Sequence, residues 1–201
     1  MSIPFVGTED LGNYLRLELN DTDDLGVIAV NAACDTVRSY LGQQVDLVSG
    51  DAVNLDGSGT DALLLPELPV VEITSVTTYD ADGNDEDPLT VDEDYRVSSG
   101  TVGILWRIPR YNVWPLGHAN IAVVYSHGYD TSISSGSGDC YGGVPSDIRL
   151  IAVQLAARIY DIGMVQQEAA GSWSATYVGG AGQLNDYEMR ALDRWRVRGA
   201  A

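Results

Sequence analysis

The sequence contains no lysine. All 11 basic residues among its 201 are arginines, set against 29 acids, of which 21 are aspartates, and the formal net charge is −18. Such a surface repels nucleic acid instead of gripping it, which disfavours a DNA- or RNA-reading role. Cysteine is nearly missing as well: Cys34 falls in a helical apolar stripe and Cys140 in a loop, so no disulfide framework is expected. His118 and His127 are the only histidines, and neither has a second His or Cys at metal-ligand spacing. No apolar run approaches the length of a membrane span. Met1-Ser2-Ile3-Pro4-Phe5 lacks the charged and apolar regions of a signal peptide, so a soluble chain is expected, with no membrane partner.

What is present is ordinary core material, with a hydrophobic fraction of 45%. The strongest local signal runs from Pro145 to Asp161, where Ile148, Ile151, Leu155, Ile159 and Ile162 recur at helical spacing beside a second stripe of Leu150, Val153, Ala157 and Tyr160. Ser146 is a candidate cap and Asp147 suits the positive end of the helix dipole. A helix apolar over so much of its girth belongs inside a core. Its expected partner is an earlier helix over 25–41, with Val27, Val30, Cys34, Val37 and Leu41 in one stripe, widened by Ile28, Ala29, Ala32 and Ala33. Asn20-Asp21-Thr22 should cap that helix and Gly42 should end it. A shorter helix opens at Thr8-Glu9-Asp10.

From Val45 the period changes to two. Strands are expected over Val45–Leu47, Val53–Leu55, Ala62–Leu65, Val70–Tyr79, Tyr95–Val97, Val102–Trp106 and Asn120–Ser126, with turns at 56–60 and 80–84. After a Ser/Gly-dense loop and the long helix, Ser172 to Val178 alternates apolar and polar, as a lone strand or arm would. Asn185 and Glu188 form a capping box for a last helix, whose apolar stripe is Met189, Leu192 and Trp195-Val197. The fold class is therefore α+β: a helical core formed by N-terminal and C-terminal helices, with an inserted antiparallel β module. As one domain over 1–201, it divides into helical core and C-terminal arm (8–44 and 145–201), β module (45–129) and flexible loop (130–144).

Charge follows the same division. Residues 1–144 hold five arginines against 23 acids, whereas residues 145–201 balance six against six. A neutral C-terminal part is available for contacts. Acidity combined with arginine in place of lysine resembles proteins of salt-loving archaea and their viruses, a high-GC bacterial phage being the alternative. At about 1 M salt the Debye length is about 3 Å, and dense carboxylates stop repelling one another.

Catalytic patterns are not found. A calcium loop begun at Asp80 would need Gly and Glu where Asp85 and Val91 stand. Gly57-Ser58-Gly59 leads into a strand, so no helix dipole awaits a phosphate. No Gly-x-Ser-x-Gly elbow is present, and His127 is expected at the exposed end of a strand. No catalytic residue, metal ligand or cofactor is assigned.

One ordered set of motifs goes further. Val37-Arg38-Ser39-Tyr40-Leu41-Gly42 ends the helix pair. Leu55-Asp56-Gly57-Ser58-Gly59, the stretch from Leu64 to Val76, Gly103-Ile104-Leu105 and Ile121 to Tyr129 follow, and Val144-Pro145-Ser146-Asp147-Ile148 opens a helix. In that order, over roughly residues 20–165, the chain resembles the head–tail connector, or adaptor, proteins of tailed bacteriophages and archaeal tailed viruses. The Ser/Gly loop and the acidity depart from the family pattern. The resemblance implies a non-enzymatic virion protein at the head–tail interface, assembled in the host cytoplasm as a homo-oligomeric ring, usually of twelve subunits. Such a ring docks under the portal protein, receives a stopper or tail-completion protein, and lets viral double-stranded DNA through without sequence-specific binding. Carried over to this chain, Arg190, Arg194, Trp195, Arg196 and Arg198 become candidate portal contacts. Trp173, Ala175 and Tyr177 become one face of an inter-subunit arm. Two readings from other classes remain: an extracellular β-rich module binding carbohydrate or protein, and an acidic hydrolase.

Overall fold

In a computed structural model of the chain the described residues are 4–79, 88–98, 100–108, 112–131, 143–164 and 182–196, with 162–164 described by backbone alone. The fold is α+β, with four helices and two three-stranded antiparallel sheets among the described residues. Two compact units can be distinguished, a helical one from Met1–Gly42 with Gly143–Arg196, and a β unit from Gln43–Asp130.

In the helical unit, α1 (Thr8–Leu15) starts where the Gly7 amide donates to the Asp10 carboxylate at 2.9 Å. α2 (Asp24–Leu41) is capped by Asp23, whose carboxylate accepts from the Gly26 amide at 2.9 Å. The cap thus lies one residue beyond the expected Asn20-Asp21-Thr22, because Asn20 turns its side chain to the Thr22 amide. α2 ends at Gly42, left-handed at φ 70°, as expected of a glycine C-cap. α3 (Ser146–Met164) packs along α2, and the Tyr160 hydroxyl reaches the Asp23 carboxylate at 3.3 Å. The small residues make the approach possible: Ala29, Ala33 and Cys34 on α2 and Ala152 and Ala156 on α3 are fully buried. Val30, Val37, Leu41, Ile148 and Leu155 fill the core as their spacing predicts. Three placements differ: Ile28 is 60% exposed, Leu150 51% exposed and Ala32 exposed too, each on the outer side of its helix. α4 (Asp186–Leu192) follows its Asn185 cap, which accepts from the amides of Tyr187 and Glu188.

In the β unit, β1 (Val48–Gly57), β3 (Val70–Thr78) and β6 (Gly117–His127) form one sheet in the order β1-β6-β3. β2 (Ala62–Leu64), β4 (Tyr95–Val97) and β5 (Ile104–Arg107) form the other, in the order β2-β5-β4. Central β6 alternates cleanly: Ile121, Val123 and Tyr125 point into the core, with Val53 and Val76 flanking Val123 on either side. Leu63, Leu105 and Trp114 come to the same core from the smaller sheet and the segment after it. At the end of β1, a Cβ on Gly57 would lie 1.7 Å from the Pro115 carbonyl oxygen, so only glycine lets the two backbones approach this closely.

Candidate interaction surfaces

The C-terminal segment begins with a fixed anchor. Glu188 of α4 is 5% exposed and takes a bidentate pair from Arg158 of α3, at 2.7 and 2.9 Å, while also accepting from the Asn185 amide at 2.9 Å. Leu192, fully buried, closes this short helix against the unit. Beyond it the backbone turns, so the expected helical stripe does not extend to Trp195, and Val197 lies outside the described residues.

The physical reason for the turn lies at the start of α3. The Trp195 indole donates to the Asp147 carboxylate at 2.9 Å, the Arg194 guanidinium pairs with the same oxygen, and Arg194 lies over the Trp195 ring at 5.0 Å. Partial burial pushes the Asp147 carboxyl upward, but the Trp195 and Arg194 hydrogen bonds outweigh it and hold its pKa below the ordinary carboxylate value. On the other side of the turn, the Tyr40 hydroxyl donates to Asp193 at 2.7 Å, which raises the tyrosine pKa, and Arg196 lies 5.5 Å from the centre of the Tyr40 ring. The turn is thus clasped between the C-terminal half of α2 and the N-terminus of α3.

Of the five sequence-derived portal-contact candidates, the structure brings Arg194, Trp195 and Arg196 into this clasp. Arg190 sits exposed on α4. Arg198 lies outside the described residues, as do Trp173, Ala175 and Tyr177 and the acids of 80–87. Sequence reasoning missed Asp147 and Tyr40 as their partners. Asp147 stood out only as a helix-dipole charge, because pairs separated by 47 and 48 residues leave no periodic trace.

The β unit corrects one reading. His127 is not at an exposed strand end but 1% exposed, with Nε2 at 3.2 Å from the Asp51 carboxylate and its ring 5.0 Å from that of Tyr125. β6 runs one residue further than the alternation suggested, and the 67–69 segment comes close: the Glu67 amide bonds the Tyr125 hydroxyl at 3.2 Å, and the Gly128 amide bonds the Pro69 carbonyl at 2.9 Å. Burial pushes the Glu67 carboxyl above its ordinary value and the Tyr125 hydroxyl up to about 12. Among the described residues no group of three His, Cys, Asp or Glu side chains is placed to hold a metal.

No protein-family model matches the sequence, and no curated protein matches it. Solved structures do match. A chain from the neck of the empty gene transfer agent particle, computed with C6 symmetry, superposes with a TM-score of 0.60 at 16% identity, over 100% of this chain and 96% of the other. Chains from the virion of the native particle (TM-score 0.55, 15% identity) and from its neck computed with C12 symmetry (0.51, 14%) match with the same coverage. The α+β fold read from the sequence, which the ordered motifs likened to head–tail connectors, is thus similar to the fold of chains from the neck and virion of a gene transfer agent particle.

Proposed function

We propose that this chain is a structural, non-enzymatic protein of a virion neck: a head-to-tail adaptor that forms a ring under the portal, extends the DNA channel and receives a stopper or tail-completion ring. The reading rests on one observation above the others, the fold likeness to gene transfer agent neck and virion chains, which spans both units of this chain and nearly all of each matched chain. The ordered connector motifs of the sequence support it independently. A ring of about twelve subunits is the expected stoichiometry, assembled in the host cytoplasm, and its acidic wall would let DNA slide without sticking. The acidity suits a host rich in salt.

Within this reading the C-terminal clasp divides the arginine candidates. Arg194, Trp195 and Arg196 hold the last described turn in place, and Arg190 and Arg198 are left to meet the portal, with Trp173, Ala175 and Tyr177 as the arm on a neighbouring subunit. Mixing the purified chain with its portal protein in molar salt and imaging the product tests the proposal. A ring seated on the portal is expected; failure to associate with the portal at any salt concentration would overturn it.

A further inference from the structure

The smaller sheet of the β unit has two apolar faces, and the core covers one. Cross-strand register sets Leu63, Leu105 and Val97 on one face, and Leu63 and Leu105 are buried in the core. The alternate positions Ala62, Leu64, Ile104 and Trp106 point the opposite way, where Leu64 is 52% and Trp106 41% exposed. An antiparallel sheet that faces water on one side ordinarily carries polar residues there. The charge that register places in this outer face is a cation, Arg96, opposite Trp106 and 67% exposed. Its 3.8 Å approach to the still more exposed Asp92 contributes little in water.

A second apolar feature of the same unit is a knob. Leu116 is 82% exposed and Val113 51%. The loop that carries them is held firmly: Trp114 between them is fully buried, with its amide on the Thr60 carbonyl at 2.8 Å and its indole on the Leu105 carbonyl at 3.2 Å. Asn120 ties Pro115 to Gly57, accepting from the Gly57 amide and donating to the Pro115 carbonyl, both at 2.9 Å. Ala119 adopts a left-handed φ of 50° and its amide bonds Asp56 at 2.6 Å. A loop ordered in advance has little entropy left to lose on docking. Beside it stand the exposed carboxylates of Asp61 and of Asp56, the latter also 2.8 Å from the exposed His118 imidazole.

We propose that the Val113–Leu116 knob of one copy seats on the outer face of Leu64, Ile104 and Trp106 of the next, with Asp56 and Asp61 facing Arg96. This rests on the ring reading above and specifies how neighbouring subunits meet. Knob and face are different surfaces, so the contact is heterologous and propagates head to tail, the kind that closes into a ring. A second copy is the fitting occupant because charge complements shape: an apolar knob flanked by acids meets an apolar face edged by an arginine. Elsewhere two chains of net charge −18 repel.

Sedimentation velocity on the full chain, over a concentration series from low to molar salt, tests this with the variants Leu116→Asp and Trp106→Asp. Both sites are exposed, and unchanged circular-dichroism melting verifies the fold. The wild type is expected to self-associate more strongly as salt rises, because screening removes the repulsion of like-charged copies. Each variant should associate roughly ten- to a hundredfold more weakly, the worth of burying one large apolar side chain. Mixed in equal amounts, the two variants should form dimers and nothing larger, since each keeps one sound surface. Wild-type-like assembly of either variant, or a mixture that stays monomeric, would overturn the proposal, as would association that weakens with salt. A wild type that docks on the portal but never contacts itself would overturn this contact and leave the adaptor reading standing.

Discussion

Replacing Asp147 should loosen the C-terminal turn by an amount that can be worked out from its contacts. The carboxylate accepts from the Trp195 indole at 2.9 Å and pairs with Arg194, with Asp147 26% and Arg194 64% exposed. A hydrogen bond to a charged group contributes about 1.5 kcal/mol or more, reduced here by partial exposure. The half-exposed ion pair adds about 0.5 kcal/mol, and the charge at the start of α3 about 0.5 kcal/mol. Asp147→Ala should therefore cost about 2 kcal/mol, which for a chain of this size lowers Tm by about 4–8 °C. A double-mutant cycle of Asp147→Asn with Trp195→Phe should return a coupling of about 1 kcal/mol, read from denaturant unfolding at fixed salt. The sign with pH follows from the depressed pKa of Asp147. Its contribution is fully present above the unfolded carboxyl value of about 4 and is lost as pH falls through the folded value. The stability gap between wild type and Asp147→Asn should thus close in acid. Strict additivity in the cycle, or a gap that widens on acidification, would refute the clasp.

Three further outcomes follow from the same geometry. Leu155→Ala in the fully buried centre of α3 should cost about 2–5 kcal/mol in chemical denaturation, because packed alanines leave little room for collapse around the cavity. Arg158→Ala leaves the Glu188 carboxylate buried without its bidentate partner and should cost about 2–3 kcal/mol, seen as faster amide exchange in α4 than elsewhere. Arg190→Glu with Arg198→Glu should abolish docking on the portal in a pull-down while melting stays within a few degrees of wild type; docking that survives removes these residues from the contact.

Much of the helical unit is legible because its signals are local. Gly42, Asn185 with Glu188, and the apolar periods of α2 and α3 each act within a few residues, and each ends or starts a helix where expected. The β strands are legible as segments, but their faces are not. Ala62 to Leu65 reads as a strand with apolar residues on both faces, and only the pairing with β5 sets Leu63 inward and Leu64 out. His127 was misplaced for a related reason: its burial depends on Asp51, 76 residues earlier, and on a segment that comes close from between other strands. The clasp at Asp147 is likewise a product of tertiary contact. Arginines that look available in a linear run are used where a distant carboxylate meets them, so a candidate partner surface read from sequence has to be tested against what the fold already engages.

The central proposal is that the chain occupies the neck of a tailed particle as a ring, and a symmetry-applied reconstruction of the neck of that particle tests it most directly. The account predicts ring density beneath the portal into which the helical unit and the β unit both fit, with the C-terminal segment directed toward the portal. Density at that position fitted by a different protein, or purified particles that lack the chain, would contradict it.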